Sequence, residues 1–422
     1  MQFTKTKLKN GLQVITVPMK DNPTVTVLVL VATGSKYESK KENGLSHFLE
    51  HMCFKGTTKR PTVHDIVGTL DGLGTQYNAF TGHEYTGYYA KGAAEHTAEL
   101  FDIVSDIYLN STFPEKEMEK EKGVIVEEIN MYEDMPQSRV QDSFMSLMYG
   151  DQPVGWTITG TKETVRGFTR EDFVRYHNEH YVPNATTVVV AGKVTEKNVL
   201  SYVTRAFGSV KRRAKKEKKP TVIPTRGSRI SVIEKTSDQT HLVLGFSSYA
   251  YGDVRNPAQK ILATVIGGGM SSRLFMKLRE ELGVAYYVYA GAMKFTDHGH
   301  FSISAGVANE RVSEVLREIV KELASVAKNG ITDAELARVK EYIVGNMKLE
   351  LESSDSFASL YGNQAVLGQK LKGPEEIEKE IRKVTKQAVQ KVAQDIFKAQ
   401  NARLALIGPQ VNVQDLEEIL KF

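Results

Sequence analysis

The same succession of segments runs through this chain twice, and that repetition limits the fold more than any single motif does. In the first half, strand-like runs are predicted at Gly11–Pro18 and Thr24–Ala32, then helical segments near Leu45–Phe54 and Val63–Leu73. Two more strands follow, Thr75–Thr81 and Thr86–Ala90, then long helices at Ala94–Leu109, Glu115–Tyr132 and Ser138–Tyr149. A helix at Arg170–Tyr181, a strand at Thr186–Ala191 and a helix at Glu196–Phe207 complete the half. After a basic run, Lys211 to Pro220, strands are predicted at Arg229–Glu234 and His241–Phe246 and helices at Pro257–Ile266 and Ser272–Leu282. Strands Ala285–Gly291 and Gly299–Gly306, helices Arg311–Lys328, Asp333–Leu351 and Ser353–Leu367, and a strand Ala402–Gly408 follow in the same order. A shift of 218 residues lays Glu115 on Asp333, Met118 on Leu336, Ile125 on Ile343 and Val126 on Val344.

Each half reads as α+β, a mostly antiparallel sheet with a block of helices covering one of its faces. The chain of 422 residues therefore divides into homologous domains at 1–210 and 225–422, joined by a basic linker at 211–224. The like charges of Lys211 to Lys219 predict a solvated, self-repelling segment. That run lacks interleaved aromatics, and 55 Lys+Arg against 51 Asp+Glu leave a net charge of only +4, which argues against nucleic acid as a partner. A single cysteine, Cys53, excludes an intramolecular disulfide framework and an all-cysteine metal site. The longest apolar stretch, Val25–Ala32, has eight residues including Thr26, far below the ~20 that span a bilayer, so no membrane role is expected. The first residues, Met1 to Lys5, carry no apolar signal core, and a cytoplasmic or already processed chain is expected.

The chemistry concentrates in His47-Phe48-Leu49-Glu50-His51. In a helix, positions i, i+3 and i+4 share one face, so both imidazoles and the carboxylate point the same way. Two neutral imidazoles a turn apart can chelate one zinc ion at ~2.0–2.1 Å, and H-x-x-E-H is the inverse of the H-E-x-x-H zinc signature. The competing reading is a polar helix face with two exposed histidines. A third ligand would come from the helix Glu115–Tyr132, which carries Glu117, Glu119, Glu121, Glu127 and Glu128. Glu121 and Glu128, seven apart, lie within ~20° on one face, whereas Glu127 points ~100° away from Glu128. In the second half the same shift puts Val339 at the place of Glu121 and Asn346 at that of Glu128, and Pro257–Ile266 has no His, Asp or Glu. One copy of the repeat is equipped and the other is not. That pattern suits metal binding or catalysis better than general surface polarity.

With these residues the sequence resembles the pitrilysin, mitochondrial-processing-peptidase and insulin-degrading-enzyme family of inverzincin zinc metallopeptidases, in a short two-domain form. The resemblance covers nearly the whole chain. It includes Asn78-Ala79-Phe80-Thr81, Gly160-Thr161 and Gly267 to Phe275, and 77 residues lead from His51 to Glu128, the spacing of the family's glutamate ligand. The resemblance implies a zinc-dependent endopeptidase that hydrolyses peptides or unfolded polypeptides in an enclosed chamber. His47, His51 and Glu128 would hold one zinc per chain, Glu50 would be the general base, and Glu121 would steady the site. Asn78, Ala79, Phe80 and Thr81 would bind substrate as an added strand. Arg279 and Tyr286, seven apart in the second half, would hold the peptide and stabilise the oxyanion, with Tyr287 and Tyr289 as nearby rivals for Tyr286.

The resemblance further implies a clamshell of two chains, in which Arg279 and Tyr286 of one serve the metal site of the other. A homodimer is sufficient, and a heteromer is the alternative. A rival function is a non-catalytic peptide-binding or assembly subunit of the same family. A structural zinc site closed by a fourth protein ligand is another. Other suggestive patterns read as local structure: His177 and His180 as a helix end, His298 and His300 as a turn, and Cys53 as a packed small residue. Gly267-Gly268-Gly269 lacks the Lys-Ser/Thr of a phosphate loop.

Overall fold

The computed structural model of the chain describes residues 3–409 and 411–421. Its strands are β1 (Thr4–Lys7), β2 (Gln13–Pro18), β3 (Thr24–Val31), β4 (Gln76–Thr81), β5 (Thr86–Ala93) and β6 (Thr186–Gly192) in one sheet. The other sheet holds β7 (Ile230–Glu234), β8 (Gln239–Ser248), β9 (Ala285–Lys294), β10 (Gly299–Ala308) and β11 (Arg403–Gly408). The first sheet has the order β1-β2-β6-β3-β5-β4 and the second β7-β11-β8-β10-β9. Among the described residues, β2/β6 and β7/β11 are parallel pairs and the others are antiparallel. The two orders superpose strand for strand once β1 is set aside, so the repeat in the sequence is a repeat of sheet topology.

Two compact units result. One comprises Met1–Asn130, Trp156–Lys219 and Lys348–Pro374; the other comprises Met131–Gly155, Pro220–Met347 and Glu375–Phe422. The expected division into 1–210 and 225–422 about a linker at 211–224 is thus crossed twice. Helix Pro136–Tyr149, from the first half, belongs to the second unit, and helix Ser354–Val366, from the second half, belongs to the first.

The physical reason lies in the sheet faces. The β3 run Thr-Val-Thr-Val-Leu-Val-Leu-Val is apolar almost throughout and β6 is buried along its whole length. Strands of that kind need cover on both faces, not one. In the first unit, helix Thr97–Leu109 packs on β3 and β5, and Ser354–Val366 packs on β3 and β6. Ser354 Oγ lies 2.8 Å from Thr26 Oγ1, and at Gly362 a Cβ would come within 2.7 Å of a Leu30 methyl. In the second unit, Val140, Phe144 and Met148 of Pro136–Tyr149 pack with Val243, Ala405 and Ile407. Gly245 leaves room there for the Phe144 ring.

Three further differences from the sequence reading stand out. The order predicted for the second half stops short of helices Pro374–Lys383, Lys386–Ile396 and Val413–Ile419, the counterparts of Lys162–Gly167, Arg170–His180 and Glu196–Phe207. Where Ser272–Leu282 is predicted as an ordinary helix, Phe275–Glu281 is a π-helix, with the Leu282 N–H donating to Lys277 O at 3.1 Å. The basic run is not simply solvated. Arg213 donates to the Asn178 carbonyl at 3.1 Å, and Lys216 and Lys218 pair with Glu179 at 3.2 Å and Glu84 at 3.5 Å. Acidic and carbonyl groups of the first unit offset its self-repulsion. Among the described residues no helix is long and apolar enough to cross a membrane.

Gly362→Leu should destabilise the protein by about 1–3 kcal/mol, because the helix cannot back away from β3 without uncovering it. Gly345→Ala, at a helical glycine with open space around it, should leave stability unchanged or raise it. Urea unfolding of both variants against the parent chain checks the pair; equal stability of Gly362→Leu would contradict close helix–sheet packing.

Candidate metal centre

Helix Leu45–Met52 has only eight residues, too few to be stable alone. Packing holds it. Leu45, Phe48, Leu49 and Met52 are buried, and the Phe48 ring meets Phe173 edge-on at 4.8 Å. The helix starts at Gly44, whose φ of +97° is left-handed and whose Cβ, if present, would lie 2.6 Å from Thr159 O. Only glycine suits that entry.

With the apolar side packed, the two imidazoles meet a carboxylate from helix Glu115–Asp134. His47 Nε2 lies 3.6 Å and His51 Nε2 3.7 Å from the same atom, Glu128 Oε2. All three ligand atoms fall within 4.8 Å of one another, and among the described residues no other His, Cys, Asp and Glu side chains form such a group. Tetrahedral ligands at ~2.0–2.1 Å from zinc would be about 3.4 Å apart, so this donor set fits an ion of that size. Burial, helped by the neighbouring His51, pushes His47 down to about 3, which keeps its imidazole in the neutral, ligating form.

Glu121 orients the second histidine. Its Oε1 is 2.9 Å from His51 Nδ1, and Lys55 Nζ is 2.6 Å from Oε2. Burial pushes the Glu121 carboxyl up, but the His51 and Lys55 hydrogen bonds outweigh it and hold it below the usual range. An ionised Glu121 takes the Nδ1 proton of His51 as its donor and turns the Nε2 lone pair toward Glu128. Glu127 lies outside the group and accepts from Asn130 Nδ2 at 3.3 Å.

Glu50 shares the helix face but is not one of the three donors. Its Oε2 accepts from the Thr81 hydroxyl, and burial raises its pKa. That bond ties the end of β4 to the site. β4 contains Asn78, Ala79, Phe80 and Thr81 and pairs only with β5, leaving one edge open; Asn78 and Phe80 are exposed and Ala79 and Thr81 half-buried.

Arg279 and Tyr286 lie together in the second unit. Arg279 Nη1 donates to the Tyr286 carbonyl at 2.6 Å, and its guanidinium stands 5.7 Å from the Tyr286 ring. The Tyr286 side chain is 70 % exposed. Of its rivals, Tyr287 is engaged by His241 at 3.1 Å, while Tyr289 is also exposed. His177 Nε2 donates to the Tyr108 carbonyl at 2.8 Å, and His180 Nδ1 is hydrogen-bonded to Thr33 Oγ1 at 3.0 Å. Cys53 is buried, its thiol donates to the Tyr88 hydroxyl at 3.4 Å, and burial pushes it up to about 12. Sequence reasoning did not find Lys55 or Glu38. Lys55 sits four after His51, just past the end of the helix, and that short spacing was the available signal; Glu38 gave none.

Residues 13–162 match the family described as insulinase, peptidase family M16, and residues 167–343 match the peptidase M16 inactive domain. An uncharacterized zinc protease of Bacillus subtilis strain 168, YmxG, is 37 % identical over 410 residues, covering 96 % of this chain and 98 % of that protein. An uncharacterized zinc protease of Rickettsia felis is 36 % identical over 411 residues, with 96 % and 98 % covered. The crystal structure of a protease from Helicobacter pylori matches with a TM-score of 0.90 at 25 % identity, covering 97 % of this chain and 99 % of that one. A peptidase M16 inactive domain from Pseudomonas fluorescens shares the fold at a TM-score of 0.90 and 19 % identity, covering 97 % and 98 %. The chain belongs to the M16, or insulinase, family of peptidases, in agreement with the resemblance read from its motifs.

Glu121→Gln should weaken zinc binding about 10–100-fold, because His51 loses an anionic partner. Glu127→Gln should leave it unchanged. Chelator competition on both variants measures this, and the reverse order would mean that the acidic face of the helix is misassigned.

Proposed function

We propose that this chain is a zinc-dependent endopeptidase acting on peptides or unfolded polypeptides. The observation that carries this reading is a carboxylate, Glu50, placed beside a three-donor set without belonging to it. His47, His51 and Glu128 hold the metal, and Glu121 orients His51. Three protein donors leave a coordination position open, as in catalytic rather than structural zinc sites. Zinc held by these three donors would supply the Lewis acidity that makes water a nucleophile near neutral pH and polarises a peptide carbonyl. Glu50 takes the proton of the attacking water and returns it to the leaving amine, with Thr81 fixing the carboxylate for both transfers.

Substrate adds as a strand to the open edge of β4 at Asn78–Thr81, recognised through its backbone. Arg279 holds the peptide and Tyr286 donates to the developing oxyanion. Both belong to the half without metal donors, 225–422, whereas 1–210 carries the metal set and 211–224 links them. Two identical chains form the chamber, each supplying Arg279 and Tyr286 to the other's metal, in the cytoplasm. No nucleic acid or membrane partner is needed. A heteromer, or a non-catalytic peptide-binding subunit, is the second reading. The description of one solved relative as an inactive domain favours it, and the complete donor set with its base weighs against it.

Glu50→Gln should retain about one zinc per chain and lose hydrolysis of a peptide library by about 10²–10⁴. Full activity in a zinc-loaded variant would remove Glu50 from the mechanism. Mixing Glu50→Gln chains with Tyr286→Phe chains should restore about a quarter of parental activity, since half the dimers would be mixed and each would hold one intact site. No recovery despite proven subunit exchange would contradict the shared site.

A further inference from the structure

The helix that carries both imidazoles starts without a cap of its own. Gly44 has no side chain at the N-cap, and the first turn of Leu45–Met52 has no acidic residue. Its leading N–H groups are orphans that need an acceptor. Glu38, six residues before Gly44, provides one. Its Oε2 accepts from Gly44 N at 2.9 Å and from Asn43 Nδ2 at 3.3 Å, and its Oε1 accepts from Ser46 N at 2.7 Å.

Glu38 is buried, with 3 % of its surface exposed. A buried carboxylate is costly unless it is fully hydrogen-bonded, and this one spends its acceptors on the start of one short helix. Both neighbours are themselves held. Asn43 Nδ2 also donates to Thr157 O at 2.9 Å, and Ser46 Oγ is 2.7 Å from the Tyr176 hydroxyl, which is 3.0 Å from Thr33 Oγ1. An anion at a helix N-terminus is also favoured by the helix dipole. Ser46, the last N–H donor in the set, directly precedes His47.

We propose that Glu38 is a positioning residue for the metal centre: it clamps the first turn of Leu45–Met52 so that His47 is presented in ligating geometry before any ion arrives. This rests on the reading of His47, His51 and Glu128 as ligands. Glu38 touches none of the three. It acts by removing the freedom that an uncapped two-turn helix would otherwise have to lose when the ion binds, so its loss weakens metal binding more than it weakens peptide binding.

The test is chelator competition for zinc on the parent chain, Glu38→Gln and Glu38→Asp, at pH 8.5, above the value of about 7 to which burial lifts this carboxyl. Far-UV circular dichroism and melting of the metal-free proteins accompany it. The expected order of affinity is parent, then Asp, then Gln, with Gln weaker about 10–100-fold, the range for residues that orient ligands. In zinc-saturated protein, kcat should fall while KM for a peptide stays within about twofold. Unchanged zinc affinity in a folded Glu38→Gln overturns the proposal, as does a zinc loss that only tracks a lowered melting temperature. If Glu38→Gln does not fold, unchanged affinity in Glu38→Asp overturns it. A parent chain that does not bind zinc at all refutes the ligand reading instead.

Discussion

The proposed function rests on one meeting of side chains: a carboxylate from one helix brought close to two imidazoles on another. Glu128 Oε2 stands 3.6 Å from His47 Nε2 and 3.7 Å from His51 Nε2. Neither helix can do this alone. Leu45–Met52 is too short to persist without packing, and Glu115–Asp134 exposes most of its charged surface. The sheet and its covering helices hold the first, while Glu121, paired with both His51 and Lys55, registers the second against it. This arrangement brings three donor side chains and a neighbouring carboxylate close together, a like-charge and desolvation cost that a bound cation would remove.

Duplication explains how such a site is afforded in a chain of ordinary composition. The same strand order appears twice, yet only one copy has the donors. In the second, Val339 and Asn346 stand where the shift places Glu121 and Glu128, and Val339 is buried in that unit's core. A scaffold whose stability comes from sheet burial tolerates the loss of the donors in one copy and their elaboration in the other. The reciprocal exchange of Pro136–Tyr149 and Ser354–Val366 adds to this, since each sheet is completed by a helix encoded in the opposite half.

Much of the fold was legible because local patterns are strong. β3 is apolar almost throughout, and the repeat itself announces two α+β units. The side of Glu115–Asp134 that meets the imidazoles was legible from helical geometry, since Glu121 and Glu128 share a face that Glu127 does not. The helix exchange was not legible. The sequence marks a helix near Ser353–Leu367, but not which sheet it covers. The π-helix at Phe275–Glu281 was hidden for a similar reason, because the residue pattern that favours a helix does not fix its hydrogen-bond register. Glu38 was invisible for a third: its two shortest hydrogen bonds come from backbone N–H groups, which leave no mark on the sequence around them.

Zinc X-ray absorption of the metal-loaded protein measures the coordination set itself. Two imidazole nitrogens and one carboxylate oxygen at ~2.0–2.1 Å, with a further light-atom scatterer and no sulfur, is the expected result. A sulfur shell near ~2.3 Å would bring Cys53 into the site and contradict the assignment, as would a fit requiring fewer than two imidazoles.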